Sequence, residues 1–285
     1  VAYLLEMYSD NTDEQDYATW TAAGRFQEQA YLWQDITEIR DQETPQQLWD
    51  AHYTAITTAN EVIRHIEKAT NKADYTAQLA EAKLCRAYSM FQLSTVFCQA
   101  YAPATASSDL GLPYPKEPED RPGRTYNRGT LAELYAQIEK DITEGINDLP
   151  TTYSSPKFHF TPEAAHAFAA RFYLYAQQYE KAHADAVLGS SPAGSLRDWL
   201  SWSKLGLSGN VQPNDYVKST SKANLLLQVV ASEWGGISIP IVSGSKYAHG
   251  ELISTTETLQ TEGPWGKSGE VMSYTVVNNN GISKY

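Results

Sequence analysis

Residues 75–101 read YTAQLAEAKLCRAYSMFQLSTVFCQAY, and their periodicity decides the fold class. One apolar stripe runs through Leu79, Ala82, Met90, Leu93 and Phe97, and a second through Leu84, Ala87, Tyr88 and Phe91. Spacings of three, four and seven predict a helix, and a helix apolar on two sides is packed between neighbours. The chain supplies such neighbours on both sides. Upstream, residues 45–68 place Trp49, Tyr53, Ile56, Ile63 and Ile66 at helical spacing behind a Thr44–Pro45 start. Downstream, residues 130–149 turn Leu131, Leu134, Tyr135, Ile138, Ile142 and Ile146 inward and Glu133, Glu139, Lys140 and Glu144 outward, and Pro150 ends the run. A fourth helix opens at Thr161 and Pro162, where Glu163 suits the helix dipole, and passes through Phe168, Phe172, Tyr173 and Tyr175 to Gln178. A shorter fifth spans residues 179–188 and stops at Gly189.

The helices repeat. Tyr53 and Ile56 return as Tyr135 and Ile138 at an offset of 82, and Thr76, Ala80, Ala82, Arg86 and Tyr88 return as Thr161, Ala165, Ala167, Arg171 and Tyr173 at an offset of 85. Ala170, Tyr173, Ala182 and Gly189 follow the small–aromatic–small–small order of tetratricopeptide pairs. The expectation is an all-α fold, a short tetratricopeptide-like α-solenoid with long aromatic-rich loops and minor β-strands. Tyr88 and Tyr173, as equivalent residues, are both expected to be largely buried.

Residues 103–129 hold five of the chain's 13 prolines, with Gly111, Gly123 and Gly129 among them, and read as a long loop. After Gly189 the sequence turns to Ser, Gly, Trp and short β-prone runs, with strands expected at residues 225–231 and 271–277. The chain therefore reads as one domain over residues 1–285. It has an irregular N-terminal segment (1–44), a helical scaffold (45–190) interrupted by the Pro-rich loop, and an irregular segment with short strands (191–285).

Composition narrows the function. With 34 Asp and Glu against 22 Lys and Arg, the net charge of −12 repels a phosphate backbone, so nucleic acid is not an expected partner. No apolar run approaches the ~18 residues of a membrane-spanning helix, and any export signal or anchor would lie upstream of Val1. Cys85 and Cys98 fall roughly 20 Å apart along the 75–101 helix, and are expected to be free, buried and unreactive.

No motif predicts catalysis, a metal or a cofactor. Asp10, Thr12 and Glu14 alternate like the start of a calcium loop, but Gln15 stands where Gly is needed and Thr21 where a bidentate Glu is needed. No two histidines stand four residues apart on a helix, there is no G-x-S-x-G turn, and the GKS triplet in residues 263–269 lacks the first Gly of a phosphate loop. Most acids lie on outward helix faces, although a hydrolase with remote paired carboxylates is a competing reading. The aromatic excess, 19 Tyr, 7 Trp and 7 Phe, is more informative. Trp20, Trp33, Trp202, Trp234, Tyr247 and Trp265 lie in irregular segments among Ser, Thr, Asn, Asp and Gly, a mixture that suits a sugar ring; the competing role is to pin loops to the scaffold.

Several blocks resemble the SusD/RagB family of outer-membrane nutrient-binding lipoproteins. They are LWDAHYTAITTANEVI (48–63), AEAKLCRAYSMFQL (80–93), LGLPY (110–114), residues 141–150 and residues 161–182, with MYSDN (7–11) similar to the Ser–Asp segment before the first helix. The resemblance implies a helical scaffold of tetratricopeptide-like pairs on the bacterial outer membrane, held by a lipid upstream of this chain. It further implies a non-enzymatic protein that captures an oligosaccharide or other nutrient for a SusC-like TonB-dependent transporter. Members of the family run to about twice this length, so the chain resembles its N-terminal part. The candidate ligand-binding residues are Asp10, Trp20, Trp33, Trp202, Trp234 and Trp265, whereas Asn60, Glu81, Arg86, Tyr88 and Asp141 match structural positions. A tetratricopeptide scaffold that binds another protein, and a peptide-binding RagB-like member, are the alternatives.

Overall fold

The computed structural model describes residues 2–14, 24–40, 43–118, 123–190, 197–198, 218–221, 223–227, 246–249, 262–263, 266–267, 275–278 and 281–284. The chain divides into two units, one of Val1–Leu48, Arg197–Ser221 and Val229–Tyr285, the other of Trp49–Leu196 and Lys222–Gln228. The described residues are mostly helical, as the periodicity predicts.

The second unit is built from four long or medium helices, α4 (Thr76–Phe97), α5 (Leu131–Asn147), α6 (Pro162–Tyr175) and α7 (Tyr179–Gly189), together with most of α3 (Pro45–Lys68). The α5 start is fixed by a reciprocal pair: Thr130 Oγ1 accepts from the Glu133 amide, and the Glu133 carboxylate accepts from the Thr130 amide. Thr161 caps α6 in the same way from its side chain, with Pro162 in the first turn. Ile56 of α3, Leu84, Met90, Phe91 and Leu93 of α4, Leu131, Ile138 and Ile142 of α5, and Phe172 of α6 are fully buried in one core. Phe91 packs edge-on to Phe172 at 5.9 Å, and Tyr135 lies 5.3 Å from the same ring.

The tightest helix contacts are between α4 and α5 and between α6 and α7. The α6–α7 contact is the one to which Ala170, Tyr173, Ala182 and Gly189 pointed, whereas the repeat offsets pair α3 with α4 and α5 with α6. Each tight contact closes on a glycine. A Cβ on Gly145 would lie 2.7 Å from Leu84 Cγ, and one on Gly189 would lie 2.5 Å from the Ala167 backbone nitrogen. The repeat-related positions also diverge in environment: Tyr173 is buried, as expected, but Tyr88 is only half-buried, edge-on to Phe160 and Phe168. Arg86 is buried whereas Arg171 is exposed beside Tyr175.

A buried polar cluster ties α3, α4, α5 and the Pro-rich segment together. Arg86 donates from Nε and Nη2 to both Asp141 oxygens at 2.6 and 2.8 Å, and from Nη1 to Asn60 Oδ1 at 2.7 Å. Tyr114 Oη donates to Asp141 Oδ2 at 2.5 Å, and Asn60 Nδ2 donates to the Pro115 carbonyl at 2.9 Å. Desolvation alone would lower the Arg86 pKa, but Asp141 and Tyr114 more than reverse it. A bidentate, buried ion pair of this kind is costly to break. Glu81 joins a second connection, accepting from the Phe160 amide at 3.1 Å and lying 3.0 Å from His159 Nδ1.

Three further expectations are revised. Helix α4 stops at Phe97, where Arg128 Nη2 takes the free Phe97 carbonyl and Cys98 turns to extended backbone, so only Cys85 lies within the helix. Both thiols are free, but Cys85 is exposed and Cys98 half-buried, not buried. Cys85 nevertheless sits in surroundings that hinder ionisation: desolvation, and then the Glu81 carboxylate, push its thiol up to about 11. Leu225 and Leu226 are irregular chain packed against the core, with the Leu227 amide donating to the Lys157 carbonyl, where a strand was expected. Residues 228–231 of that run lie outside the described residues. Of the expected 271–277 strand, residues 275–277 belong to β5 (Thr275–Asn278), paired with β6 (Gly281–Lys284), and residues 271–274 lie outside the described residues.

The first unit contains two helices in the segment read as irregular, α1 (Ala2–Met7) and α2 (Arg25–Tyr31). At six and seven residues they are too short to display a helical period. Between them β1 (Thr12–Glu14) pairs antiparallel with β2 (Tyr247–His249). β3 (Glu262–Gly263) and β4 (Gly266–Lys267) form a further short hairpin.

Candidate functional site

Two of the six candidate binding residues, Asp10 and Trp33, lie among the described residues; Trp20, Trp202, Trp234 and Trp265 lie outside them. Both described candidates belong to the first unit, and its local architecture brings their segments together.

Tyr3, Leu4 and Met7 bury the inward face of α1, and Phe26 and Ala30 that of α2, with the Tyr3 and Phe26 rings 5.7 Å apart. Tyr31, at the end of α2, stacks on the buried Tyr247 of β2 at 4.3 Å. The turn after α1 is held from Glu6: Ser9 Oγ and Thr12 Oγ1 donate to its carbonyl at 2.8 and 2.9 Å, and Asn11 Nδ2 donates to its carboxylate at 3.1 Å. These bonds present Asp10 to solvent at the tip of the turn.

Helix α2 ends in a reversal that explains the placing of Trp33. The Gln34 amide donates to the Gln29 carbonyl at 2.8 Å, and the Trp33 amide donates to the Ala30 carbonyl at 3.1 Å. This is the six-to-one and five-to-two pattern of a Schellman ending, whose central residue adopts left-handed backbone and is usually Gly. Here it is Trp33, with φ 54°. An L-residue with a bulky side chain is strained in that region. Its indole is 73% exposed, so core packing does not offset the strain. What the indole meets is Tyr8, with ring centroids 5.0 Å apart and planes tilted by 51°. Burial, and the nearby Asp35 carboxylate, hold the Tyr8 phenol protonated above its usual range.

The loop after Trp33 is fixed by its own contacts. Gln29 Nε2 donates to Thr37 Oγ1 at 2.9 Å while Gln29 Oε1 accepts from the Thr37 amide at 3.1 Å. Asp35 is exposed between these anchors. The Trp33–Tyr8 pair thus offers one open indole and a phenol with the exposed Asp35 near it, and Asp10 is exposed on the turn two residues beyond Tyr8. Flat apolar faces beside hydrogen-bond acceptors and a donor can take the C–H face and hydroxyls of a sugar without any reacting group. Among the described residues no three His, Cys, Asp or Glu side chains converge to hold a metal ion. Sequence reasoning passed over Tyr8 and Asp35 as site residues. The available signal for Tyr8 was its place in MYSDN, beside the candidate Asp10; for Asp35 it was proximity to Trp33 alone.

The sequence matches a SusD-like family described as starch-binding and associating with the outer membrane, over residues 2–174. No curated protein matches it. Among solved structures, a SusD superfamily protein from Bacteroides thetaiotaomicron is 22% identical with a TM-score of 0.58, covering 71% of this chain and 44% of its own. A SusD superfamily protein from Bacteroides fragilis is 21% identical with a TM-score of 0.56, covering 72% and 46%. A structure named as a putative sugar-binding protein, from Bacteroides vulgatus, is 21% identical with a TM-score of 0.51, covering 65% and 39%. At these identities the likeness establishes the fold, and the chain spans less than half the length of each of these neighbours.

Proposed function

This chain belongs to the SusD-like family, and from that premise we propose that it is a non-enzymatic, surface-held binding protein whose Trp33–Tyr8 surface captures an oligosaccharide. The transfer of that ligand to a SusC-like TonB-dependent outer-membrane transporter, and attachment by a lipid upstream of Val1, belong to the same proposal. No helix among the described residues is long and apolar enough to cross a membrane. One observation supports the site above the others: Trp33 occupies strained left-handed backbone and is left 73% exposed. The family's description as starch-binding names the first ligand to try, and a neighbour named as a putative sugar-binding protein agrees in class.

The test is calorimetric titration of the chain with maltoheptaose and a panel of other oligosaccharides, on the wild type and on Trp33→Ala. Binding of at least one oligosaccharide that is lost in the variant, with the helical circular dichroism retained, supports the reading. Binding that survives Trp33→Ala refutes the assignment of the site.

A further inference from the structure

Burial does not hold the loop that follows α2. Leu32, Trp33, Gln34, Asp35 and Thr37 are all exposed, so packing against a core contributes little to its shape. Gln29 grips it at two points. The Gln29 carbonyl takes the Gln34 amide at 2.8 Å, a bond of the helix ending that any residue at this place could make. Its side chain adds what the backbone cannot. Gln29 Oε1 accepts from the Thr37 amide at 3.1 Å while Nε2 donates to Thr37 Oγ1 at 2.9 Å, so both the oxygen and the nitrogen of one carboxamide engage a single residue eight positions ahead. The far end is anchored separately. Gln47 Nε2 donates to the Ile39 carbonyl at 3.0 Å, and Glu38 Oε1 accepts from the Ile39 and Arg40 amides at 2.9 and 2.8 Å.

The stretch closed by the Gln29 bonds carries Trp33 near its start, in left-handed backbone that is unfavourable for an L-residue, and Asp35 in its middle. Released from Thr37, residues 33–36 would be free to leave that conformation, and the indole could move away from Tyr8, whose ring centroid lies 5.0 Å from its own. A ring that must be ordered when a ligand arrives binds more weakly than one already in place, because binding then bears the ordering entropy. We propose that Gln29 is a positioning residue of the oligosaccharide surface: without touching the ligand, it clamps Thr37 and so keeps the Trp33 indole against Tyr8 before a ligand arrives. This role rests on Trp33 and Tyr8 forming that surface; the placing of the indole does not depend on it.

The experiment compares wild type with Gln29→Met and Gln29→Glu in the full chain labelled with fluorotryptophan. Methionine matches glutamine in length and helix propensity but makes neither bond to Thr37, so α2 persists. Glutamate keeps the acceptor for the Thr37 amide, and the Thr37 hydroxyl can turn to donate to its other oxygen, with about 150 mM salt screening Asp35. The Trp33 fluorine resonance, identified by its loss in Trp33→Ala, reads the place of the indole beside Tyr8 without any ligand. It should move or broaden in Gln29→Met and return in Gln29→Glu, while amide exchange across α2 changes little. Thr37→Val, which lies outside α2 and removes only the hydroxyl bond, should move it part of the way. In calorimetry with an oligosaccharide that wild type binds, affinity should fall about tenfold in Gln29→Met and stay within about twofold of wild type in Gln29→Glu. The proposal is overturned if the resonance keeps its place in Gln29→Met, if affinity there is unchanged, or if Gln29→Glu restores neither. Loss of α2 protection in Gln29→Met, with the resonance unmoved in Thr37→Val, makes Gln29 a helix residue only and overturns it too. If wild type binds no oligosaccharide, the glycan reading fails, and the resonance alone then supports or overturns the placing of the indole by Gln29.

Discussion

Replacing Trp33 by Gly and, separately, by Ala separates the indole's role in folding from its role in binding. About a quarter of this residue is covered, roughly 65 Å² of an aromatic side chain that can bury about 250 Å², which is worth about 1.5 kcal/mol at about 25 cal/mol per Å². Both variants lose that contact with Tyr8. They differ in backbone, because left-handed φ costs an L-residue about 1–2 kcal/mol and costs Gly almost nothing. Trp33→Gly therefore recovers most of what it loses and stays within about 1 kcal/mol of wild type, whereas Trp33→Ala recovers nothing and falls about 1.5 kcal/mol or more. The change lies within the first unit, so the measurement is native-state amide exchange across α2, which reads local opening, alongside urea unfolding. Both variants should lose oligosaccharide binding equally. If Ala proves as stable as Gly, the left-handed strain is not present in solution. If Trp33→Gly unfolds the α2 region, the indole is a loop pin and its exposure has no bearing on ligand.

Four further outcomes follow from the rest of the chain. Arg86→Met leaves Asp141 buried and charged without its bidentate partner and should cost about 3–5 kcal/mol in urea unfolding, part of it recovered by adding Asp141→Asn. Gly189→Ala pushes a Cβ to 2.5 Å from the Ala167 nitrogen and should cost about 1–3 kcal/mol by thermal unfolding, separating α6 from α7 without touching the first unit. Burial lowers the His52 pKa below 6.5, so the folded state favours neutral imidazole; stability should hold above that pH, fall as pH drops through and below it, and fall less steeply in His52→Gln. The Cys85 thiol, held up to about 11, should alkylate slowly with iodoacetamide at neutral pH despite its exposure, accelerating only as pH approaches that value.

Trp33 and Trp49 differ in how the fold surrounds them. Trp33 is exposed at a strained helix ending, where a ring is free to meet a ligand face. Trp49 is half-buried, pressed by Tyr53 at 4.7 Å and by Phe97. Two tryptophans that look alike in the sequence thus stand in different environments once the chain is folded, one exposed and one half-buried.

Local sequence alone determined the long helices. Residues 45–68 form α3 with the expected bounds, and Thr130 and Thr161 start their helices, because 3.6-residue periodicity and side-chain capping act within a few residues along the chain. Arg86, Asn60 and Asp141 were recognisable as structural positions, yet their pairing joins residues 26 and 55 apart and could be seen only once the helices were packed. The close contact of α6 with α7 joins consecutive helices and was signalled by Ala170, Tyr173, Ala182 and Gly189, whereas that of α4 with α5, set by where Gly145 lets the helices approach, joins segments separated by the Pro-rich loop and was a matter of tertiary contact. The short α1 and α2 left no period to read. Trp33 was visible as an aromatic in a polar stretch, but its left-handed backbone, its exposure and its meeting with Tyr8 arise from how α2 ends against the turn after α1. Periodicity and capping are written in neighbouring residues; burial, ion pairing and the accessible face of a ring depend on which distant surfaces come together, and those were decided by the tertiary structure.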